Sequence, residues 1–129
     1  MAAASFVLDS SAVIALVKGE KGWHRVAEVL AASVILSVNA AEVYSKIAEW
    51  EMPEDLKDKY HAVMEDLIVP YDMDLAIRTG VLRGKTSAEG LSLGDRACLS
   101  LAQRLGVPAL TSDQIWSKVQ VGVKIELIR

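Results

Sequence analysis

Short apolar segments alternate with longer amphipathic segments along almost the whole chain of 129 residues. The short segments are apolar without regular polar alternation, which is typical of strands buried on both faces of a parallel sheet. They comprise residues 6–8, 34–36, 67–71, 109–111 and 123–128. This alternation predicts an α/β fold, a three-layer α/β/α sandwich around a mainly parallel central sheet of about five strands.

The segments between the strands carry apolar residues at the spacing of an amphipathic helix. Five such stripes are Trp23, Val26, Ala27 and Leu30; Val43, Ile47 and Trp50; Leu56, Tyr60, Val63 and Met64; Met73, Ala76, Ile77, Gly80 and Val81; and Ala97, Cys98, Leu101, Ala102 and Leu105. Gly106 and Pro108 predict the end of the last of these helices, and residues 84–90 read as an exposed loop. No domain boundary is apparent, so we expect a single domain over residues 1–129.

Composition and charge exclude several classes of protein. The longest apolar stretch, residues 29–38, contains two serines and is too short to span a bilayer, which needs about 20 residues. The amino terminus lacks basic residues before its apolar part, so we expect a cytoplasmic protein rather than a secreted or membrane protein. The only cysteine, Cys98, lies at helical spacing with apolar residues and is predicted to belong to the core.

The net charge of −3 disfavours a nucleic-acid partner, because binding phosphates usually requires excess Lys and Arg. Setting four candidate site acids aside from the 17 acidic residues leaves 13, against 14 Lys and Arg. Charge therefore neither supports nor excludes an RNA or DNA substrate.

The four candidate acids, Asp9, Glu42, Asp95 and Asp113, each lie near a junction where a strand or turn gives way to a helix. In a parallel sheet these junctions lie along one edge, so the carboxylates are expected to converge. Convergent carboxylates repel unless a cation holds them together, and a divalent metal ion is the simplest such cation. The pattern therefore predicts metal-dependent hydrolysis.

Each of these acids also has a structural interpretation that the sequence leaves open. Asp9 and Asp113 each precede a helix and could simply cap it. Glu42 follows Asn39 by three residues, as in a capping box at a helix start, and precedes Lys46 by four, as in a surface ion pair. On these grounds Glu42 could belong to a solvated helix face.

Asp95 points inward if its helix begins near Leu93, because it then shares a face with Cys98, Leu99 and Ala102. The polar face of that helix comprises Arg96, Ser100, Gln103 and Arg104. A buried carboxylate needs a cation or a hydrogen-bond donor, or it becomes protonated. The alternative is a capping interaction with Ser92.

Five segments resemble the PIN-domain nucleases and, within them, the VapC toxins of toxin–antitoxin pairs. They are Leu8-Asp9-Ser10-Ser11-Ala12, Ser37-Val38-Asn39-Ala40-Ala41-Glu42-Val43, Leu91-Ser92-Leu93-Gly94-Asp95-Arg96-Ala97, Pro108-Ala109-Leu110-Thr111-Ser112-Asp113 and Gly122-Val123-Lys124-Ile125-Glu126-Leu127-Ile128. Their order and spacing agree with the family over essentially the entire chain.

The resemblance implies an endoribonuclease whose four acids bind Mg²⁺ or Mn²⁺. Asp9 and Asp95 would be central ligands, Asp113 would complete the shell, and Glu42 would hold a second ion or orient water. The hydroxyl groups of Thr111 and Ser112 would donate hydrogen bonds nearby. Attack by metal-bound water would leave a 5′-phosphate and a 3′-hydroxyl, without a role for histidine.

The resemblance also implies partners. The expected substrate is RNA, such as transfer RNA or another structured RNA. The expected protein partners are a second copy, giving a homodimer, and a VapB-type antitoxin whose tail covers the acidic site and whose other end binds DNA. Arg96, next to Asp95 on the predicted polar face, is a candidate contact for RNA or antitoxin.

Three other interpretations remain open from the sequence. A phospho-accepting receiver domain has similar size and acidic Mg²⁺ chemistry, but it needs clustered acids after its first strand, where Asp9 is followed by two serines. A non-catalytic module would keep the fold for protein or RNA contacts. A third possibility is a PIN nuclease that acts in RNA processing or on DNA without an antitoxin.

Overall fold

The computed structural model describes residues 3–129, which form an α/β sandwich around one parallel sheet. In chain order the elements are β1 (Phe6–Leu8), α1 (Ser10–Lys18), α2 (Trp23–Val29), β2 (Ser33–Leu36), α3 (Ser37–Glu49), α4 (Glu54–Leu67), β3 (Ile68–Val69), α5 (Met73–Thr86), α6 (Leu93–Leu105), β4 (Ala109–Thr111) and β5 (Ile125–Leu127). Short 3₁₀ turns occupy Leu30–Ala32 and Gln114–Lys118. The predicted fold class is confirmed, although β3 and β5 are shorter than expected.

Successive strand residues point to opposite faces of the sheet and so build two cores. Val7 packs with α5 and α6 on one face, while Leu8 packs with α1–α4 on the other. Ala109 faces α6, where its small side chain meets Ala97 and Ala102 in the same cluster. Burial on both faces explains why the strands are continuously apolar in sequence.

The strand order is β3-β2-β1-β4-β5, with every neighbouring pair parallel. The chain thus proceeds from β1 in one direction through β2 and β3, then returns to β4 on the other side of β1. The direction of the chain therefore switches between β1 and β4, and α/β sheets usually bind ligands outside the carboxyl ends of the strands at such a switch point. Asp9 follows β1 directly, and Thr111 is the last residue of β4.

The ends of α5 and α6 have local causes. Gly106 ends α6 in the left-handed conformation (φ 66°) and donates its N–H to the Ala102 carbonyl, as the sequence predicts. By contrast, the exposed loop expected from residue 84 begins later, because α5 continues to Thr86, whose side chain is buried. No helix within residues 3–129 is both long and apolar enough to cross a bilayer.

The apolar stripe predicted on α5 lies on the outer face of the helix. Met73, Ile77 and Val81 are 75%, 61% and 66% exposed. The buried face instead includes Thr79 and Thr86, whose hydroxyls donate to the backbone carbonyls four residues earlier, at 2.6 and 2.8 Å. These local bonds satisfy the hydroxyl groups, so threonine can face the core while the apolar stripe faces outward.

Candidate metal centre

Asp9 is the most deeply buried acid of the candidate site, with 3% of its surface exposed. It occupies the N-cap position of α1, but its carboxylate makes no capping bond to the helix. Its Oδ2 atom instead accepts hydrogen bonds from Ser11 Oγ at 2.7 Å and Thr111 Oγ1 at 2.9 Å. Its Oδ1 atom is buried and has no hydrogen-bond partner within residues 3–129. The interpretation of Asp9 as a helix cap is therefore wrong.

Burial raises the pKa of Asp9 to about 6, against an ordinary value of 3.8. The hydroxyls of Ser11 and Thr111 lower this pKa, and the negative charges of Asp95 and Glu42 raise it. Asp95 and Glu42 are thus near enough to Asp9 to affect its ionisation. A cation bound beside them would favour the ionised form of Asp9.

Ser11 is a site residue that the sequence analysis missed. Its hydroxyl lies 3.2 Å from Thr111 Oγ1 and accepts the Ser112 N–H at 2.9 Å, so it links the start of α1 to the end of β4. Thr111 contacts Asp9 as expected, whereas Ser112 contributes its backbone N–H to this network. The position of Ser11, two residues after Asp9, was the available sequence signal.

Neither the capping box nor the ion pair that the sequence suggested for Glu42 is formed, although its exposed position agrees with a solvated helix face. A capping box would need Asn39 as the N-cap residue of α3, but α3 already begins two residues earlier, at Ser37. Lys46 pairs with Glu49 at 3.5 Å rather than with Glu42. Glu42 is solvent-exposed, yet its Oε1 atom accepts a 2.9 Å hydrogen bond from Asn39 Nδ2.

The Glu42 carboxylate lies directly over Gly94 in the first turn of α6. A Cβ atom built on Gly94 would lie 2.7 Å from Glu42 Oε2 and 2.9 Å from Oε1, closer than any side chain tolerates. Gly94 immediately precedes Asp95, so this close approach places Glu42 beside the turn that carries Asp95.

Asp95 is half-buried, and its capping interpretation is correct. Its Oδ2 atom accepts the Ser92 N–H at 2.9 Å, and Ser92 Oγ accepts the Asp95 N–H at 3.1 Å. The cap engages only one carboxylate oxygen and is compatible with metal binding through the other. Cys98, one turn further along, is fully buried as predicted; burial and the nearby acids Asp9, Asp95 and Glu42 raise its pKa.

Asp113 shares the sheet edge with Asp9, but its exposed side chain faces its own 3₁₀ turn. Its Oδ1 atom accepts the Ile115 N–H at 3.1 Å, and its backbone N–H donates to Thr111 Oγ1 at 3.1 Å. Its charge is not among those that shift the pKa of Asp9. The structure thus brings together Asp9, Glu42 and Asp95, and leaves the Asp113 carboxylate as a cap.

The exposed position predicted for Arg96 is wrong. Only 8% of this residue is exposed, and its Nη1 atom donates to the Thr79 carbonyl at 2.9 Å. Because α6 is covered by α5 on this side, the guanidinium joins the two helices instead of facing solvent. Arg96 is therefore placed as a packing residue rather than as a contact for RNA or antitoxin.

The residues present fit an oxygen-ligated divalent ion. Within residues 3–129, no three Asp, Glu, His or Cys side chains already form a complete ligand group. Mg²⁺ does not require one, because it commonly binds one or two carboxylates and keeps several waters. The buried, unpartnered Oδ1 atom of Asp9 supplies a hard donor, and Asp95 and Glu42 add two carboxylates whose charges reach Asp9.

A parallel sheet with carboxylates at its topological switch point defines an α/β domain with a candidate metal-dependent hydrolytic site. The family model described as "PIN domain" matches residues 6–122, and the chain belongs to the PIN domain family. Membership of this family supports a nuclease activity. No curated protein matches the chain.

Several solved structures share this fold. DNA-bound VapBC from Salmonella typhimurium has a TM-score of 0.70 at 21% identity, covering 98% of this chain and 99% of that chain. VapBC2 from Rickettsia felis, bound to a promoter DNA fragment, has a TM-score of 0.74 at 17% identity, covering 94% and 96%. A toxin–antitoxin complex from Klebsiella pneumoniae has a TM-score of 0.74 at 19% identity, covering 97% and 98%. At these identities the likeness concerns the fold.

Proposed function

We propose that this protein is a Mg²⁺- or Mn²⁺-dependent endoribonuclease that hydrolyses RNA phosphodiester bonds. The observation that carries the proposal is the carboxylate of Asp9. It is buried at the switch point, it has one oxygen without a donor, and it lies within the electrostatic reach of Asp95 and Glu42.

Each residue has a distinct part in the proposed reaction. Asp9 and Asp95 would hold the ion, while Glu42 would bind a second ion or orient the attacking water. Ser11 and Thr111 fix the Asp9 carboxylate by donating to its Oδ2 atom, which leaves Oδ1 for the ion. The bound ion would supply a water that is nucleophilic near neutral pH and would offset charge building on the phosphoryl oxygens. Asp113 would enter the shell only if its carboxylate left the 3₁₀ turn.

The activity is tested with purified wild type and Asp95→Asn on transfer RNA and ribosomal RNA, with Mg²⁺, Mn²⁺ or a chelator. Asparagine retains an oxygen that can accept the Ser92 N–H, so this variant removes the charge but keeps the cap of α6. We expect wild type to cut with metal and leave 5′-phosphate ends, and the variant to lose at least about a hundredfold in rate. Equal cutting by both proteins would show contamination, and 2′,3′-cyclic phosphate products would contradict attack by water.

We further propose that the protein is the toxin of a toxin–antitoxin pair, acts in the cytoplasm and is inhibited by a VapB-type antitoxin. The likeness of fold to VapBC complexes supports this assignment. Induced expression in bacteria should stop growth for wild type and not for Asp95→Asn. Normal growth with active, soluble wild-type enzyme would instead favour a PIN nuclease of RNA processing.

A homodimer is also proposed. Its support is the exposed apolar face of α5, which comprises Met73, Ile77 and Val81. Large exposed apolar patches are typical of surfaces that bind another molecule.

A further inference from the structure

Asn39 is completely buried in the first turn of α3, and both of its amide protons form hydrogen bonds at the candidate site. Its Nδ2 atom donates to Glu42 Oε1 at 2.9 Å and to the Gly94 carbonyl at 3.0 Å. Both partners are hydrogen-bond acceptors, so only the NH₂ side of the amide can face them. The orientation of the side chain is therefore set by its two partners.

These two bonds join elements that carry different acids. Within residues 3–129, the bond from Asn39 to Gly94 is the only side-chain hydrogen bond between α3 and α6. Gly94 is followed by Asp95, and the missing side chain of Gly94 lets the Glu42 carboxylate approach this turn. One amide thus fixes Glu42 relative to the turn that presents Asp95.

We propose that Asn39 is a positioning residue of the metal centre: it holds the Glu42 carboxylate against the turn that carries Asp95, so that both acids act on one ion or on adjacent ions. This inference rests on the proposed function. Outer residues that orient metal ligands typically contribute ten- to hundredfold to metal affinity or activity. Asn39 lies three residues before Glu42 on the same helical face, so its reach does not depend on a flexible loop.

The test compares Mn²⁺ binding by wild type, Asn39→Leu and Thr79→Val, using isothermal titration calorimetry with circular dichroism to verify folding. Leucine keeps the same branched arrangement of side-chain heavy atoms but removes both donors. Thr79→Val is the matched control, because Thr79 is 1% exposed and bonds Ser100 Oγ on α6 at 3.2 Å, away from the acids. Should Asn39→Leu fail to fold, Asn39→Ala replaces it.

We expect Asn39→Leu to weaken Mn²⁺ binding about tenfold and to lower kcat with little change in KM for RNA, while Thr79→Val binds Mn²⁺ like wild type. Equal binding by wild type and the Asn39 variant would overturn the inference and leave the proposed function standing. Equal weakening in both variants would also overturn it, since Asn39 would then only connect the helices. A wild type that binds no Mn²⁺ would refute the proposed function itself, and this inference with it.

Discussion

The Asp9 carboxylate opposes folding when it is ionised and no cation neutralises it. Its pKa of about 6, against 3.8 ordinarily, corresponds to about 3 kcal/mol of differential stabilisation. Asp9→Asn removes the charge but keeps a carbonyl oxygen for Ser11 and Thr111. We expect the variant, without metal at pH 8, to gain about 1–3 kcal/mol in free energy of unfolding, measured by urea denaturation. It should also lose Mn²⁺ binding.

Asp113→Asn provides the comparison for this stability change. Asp113 is an exposed acid at the same sheet edge, and its capping bond to Ile115 can be kept by asparagine. Its replacement should alter the free energy of unfolding by less than about 0.5 kcal/mol. A destabilised Asp9→Asn variant would contradict the view that burial of the charge dominates at Asp9.

The stability difference between wild type and Asp9→Asn should depend on pH. Because the pKa of Asp9 is raised in the folded state, the native protein binds a proton more readily than the unfolded chain between pH 4 and 6. Wild type therefore recovers stability as the pH falls through about 6, and the advantage of the variant shrinks towards zero near pH 4. Urea denaturation of both proteins with chelator at pH 8, 6 and 4 measures this difference. A constant difference would assign the effect to another cause.

How far single residues could be predicted depends on whether their role is set by local sequence. Asp9 and Thr111 follow from the ends of buried strands, which converge in any parallel sheet. The roles of Asn39 and Arg96 do not follow from local sequence, because each has a partner on another helix. These partners are Gly94 for Asn39 and Thr79 for Arg96. Helical periodicity places a residue on a face, but it does not say which faces a second helix will cover.

At the scale of elements, the first turn of α6 combines a cap with a close helix approach. Gly94→Ala would place a methyl group against both oxygens of Glu42, forcing that carboxylate away from the turn that carries Asp95. We expect about tenfold weaker Mn²⁺ binding by calorimetry, with a stability change within about 1 kcal/mol because alanine favours the helix.

Gly84→Ala is the control for this variant, since a Cβ atom there meets nothing within 4 Å. It makes the same chemical change on the outer face of α5, away from the acids, so it controls for the metal centre whatever its effect on a contact between two copies of α5. Its Mn²⁺ affinity should equal that of wild type. If Gly94→Ala binds Mn²⁺ equally well, the approach of Glu42 is not required for the metal centre.

Elements were predictable wherever burial and periodicity agreed. β1 and β4 coincide with their apolar runs, whereas β3 contains only Ile68–Val69 because its pairing with β2 covers two residues. The helical period of α5 was also correct, but the stripe of Met73, Ile77 and Val81 is exposed. An apolar stripe indicates that a helix face is suited to burial. It does not say whether the protein's own core or a second molecule buries that face.

At the scale of the whole molecule, the outer face of α5 is suited to a second copy of itself. Its amino-terminal half carries the large side chains Met73 and Ile77, and its carboxyl-terminal half carries Gly80 and Gly84. An antiparallel pair of α5 helices would place the large residues of one copy against the glycines of the other. Such self-complementarity is what a two-fold dimer interface requires.

Charge supports the same antiparallel arrangement. The first turn of α5 carries Asp74, and the last turn carries Arg83 and Lys85. Asp74 already pairs with Arg78 at 2.9 Å within one copy. Antiparallel packing keeps Arg83 and Lys85 of the two copies apart, and it opposes the two helix dipoles. A parallel pair would place like charges together.

We therefore expect wild type to be a dimer and Ile77→Glu to be a monomer, as measured by size-exclusion chromatography with light scattering. The change would bury an unpaired charge in the interface opposite apolar side chains and glycine, which would prevent association. Val63→Glu on α4, where the original side chain is 42% exposed, introduces the same charge elsewhere and should leave the dimer intact. A monomeric wild type, or a dimer that survives Ile77→Glu, would exclude α5 as the interface. Mn²⁺ binding by monomeric Ile77→Glu should match wild type, because Asp9, Glu42 and Asp95 all come from one chain.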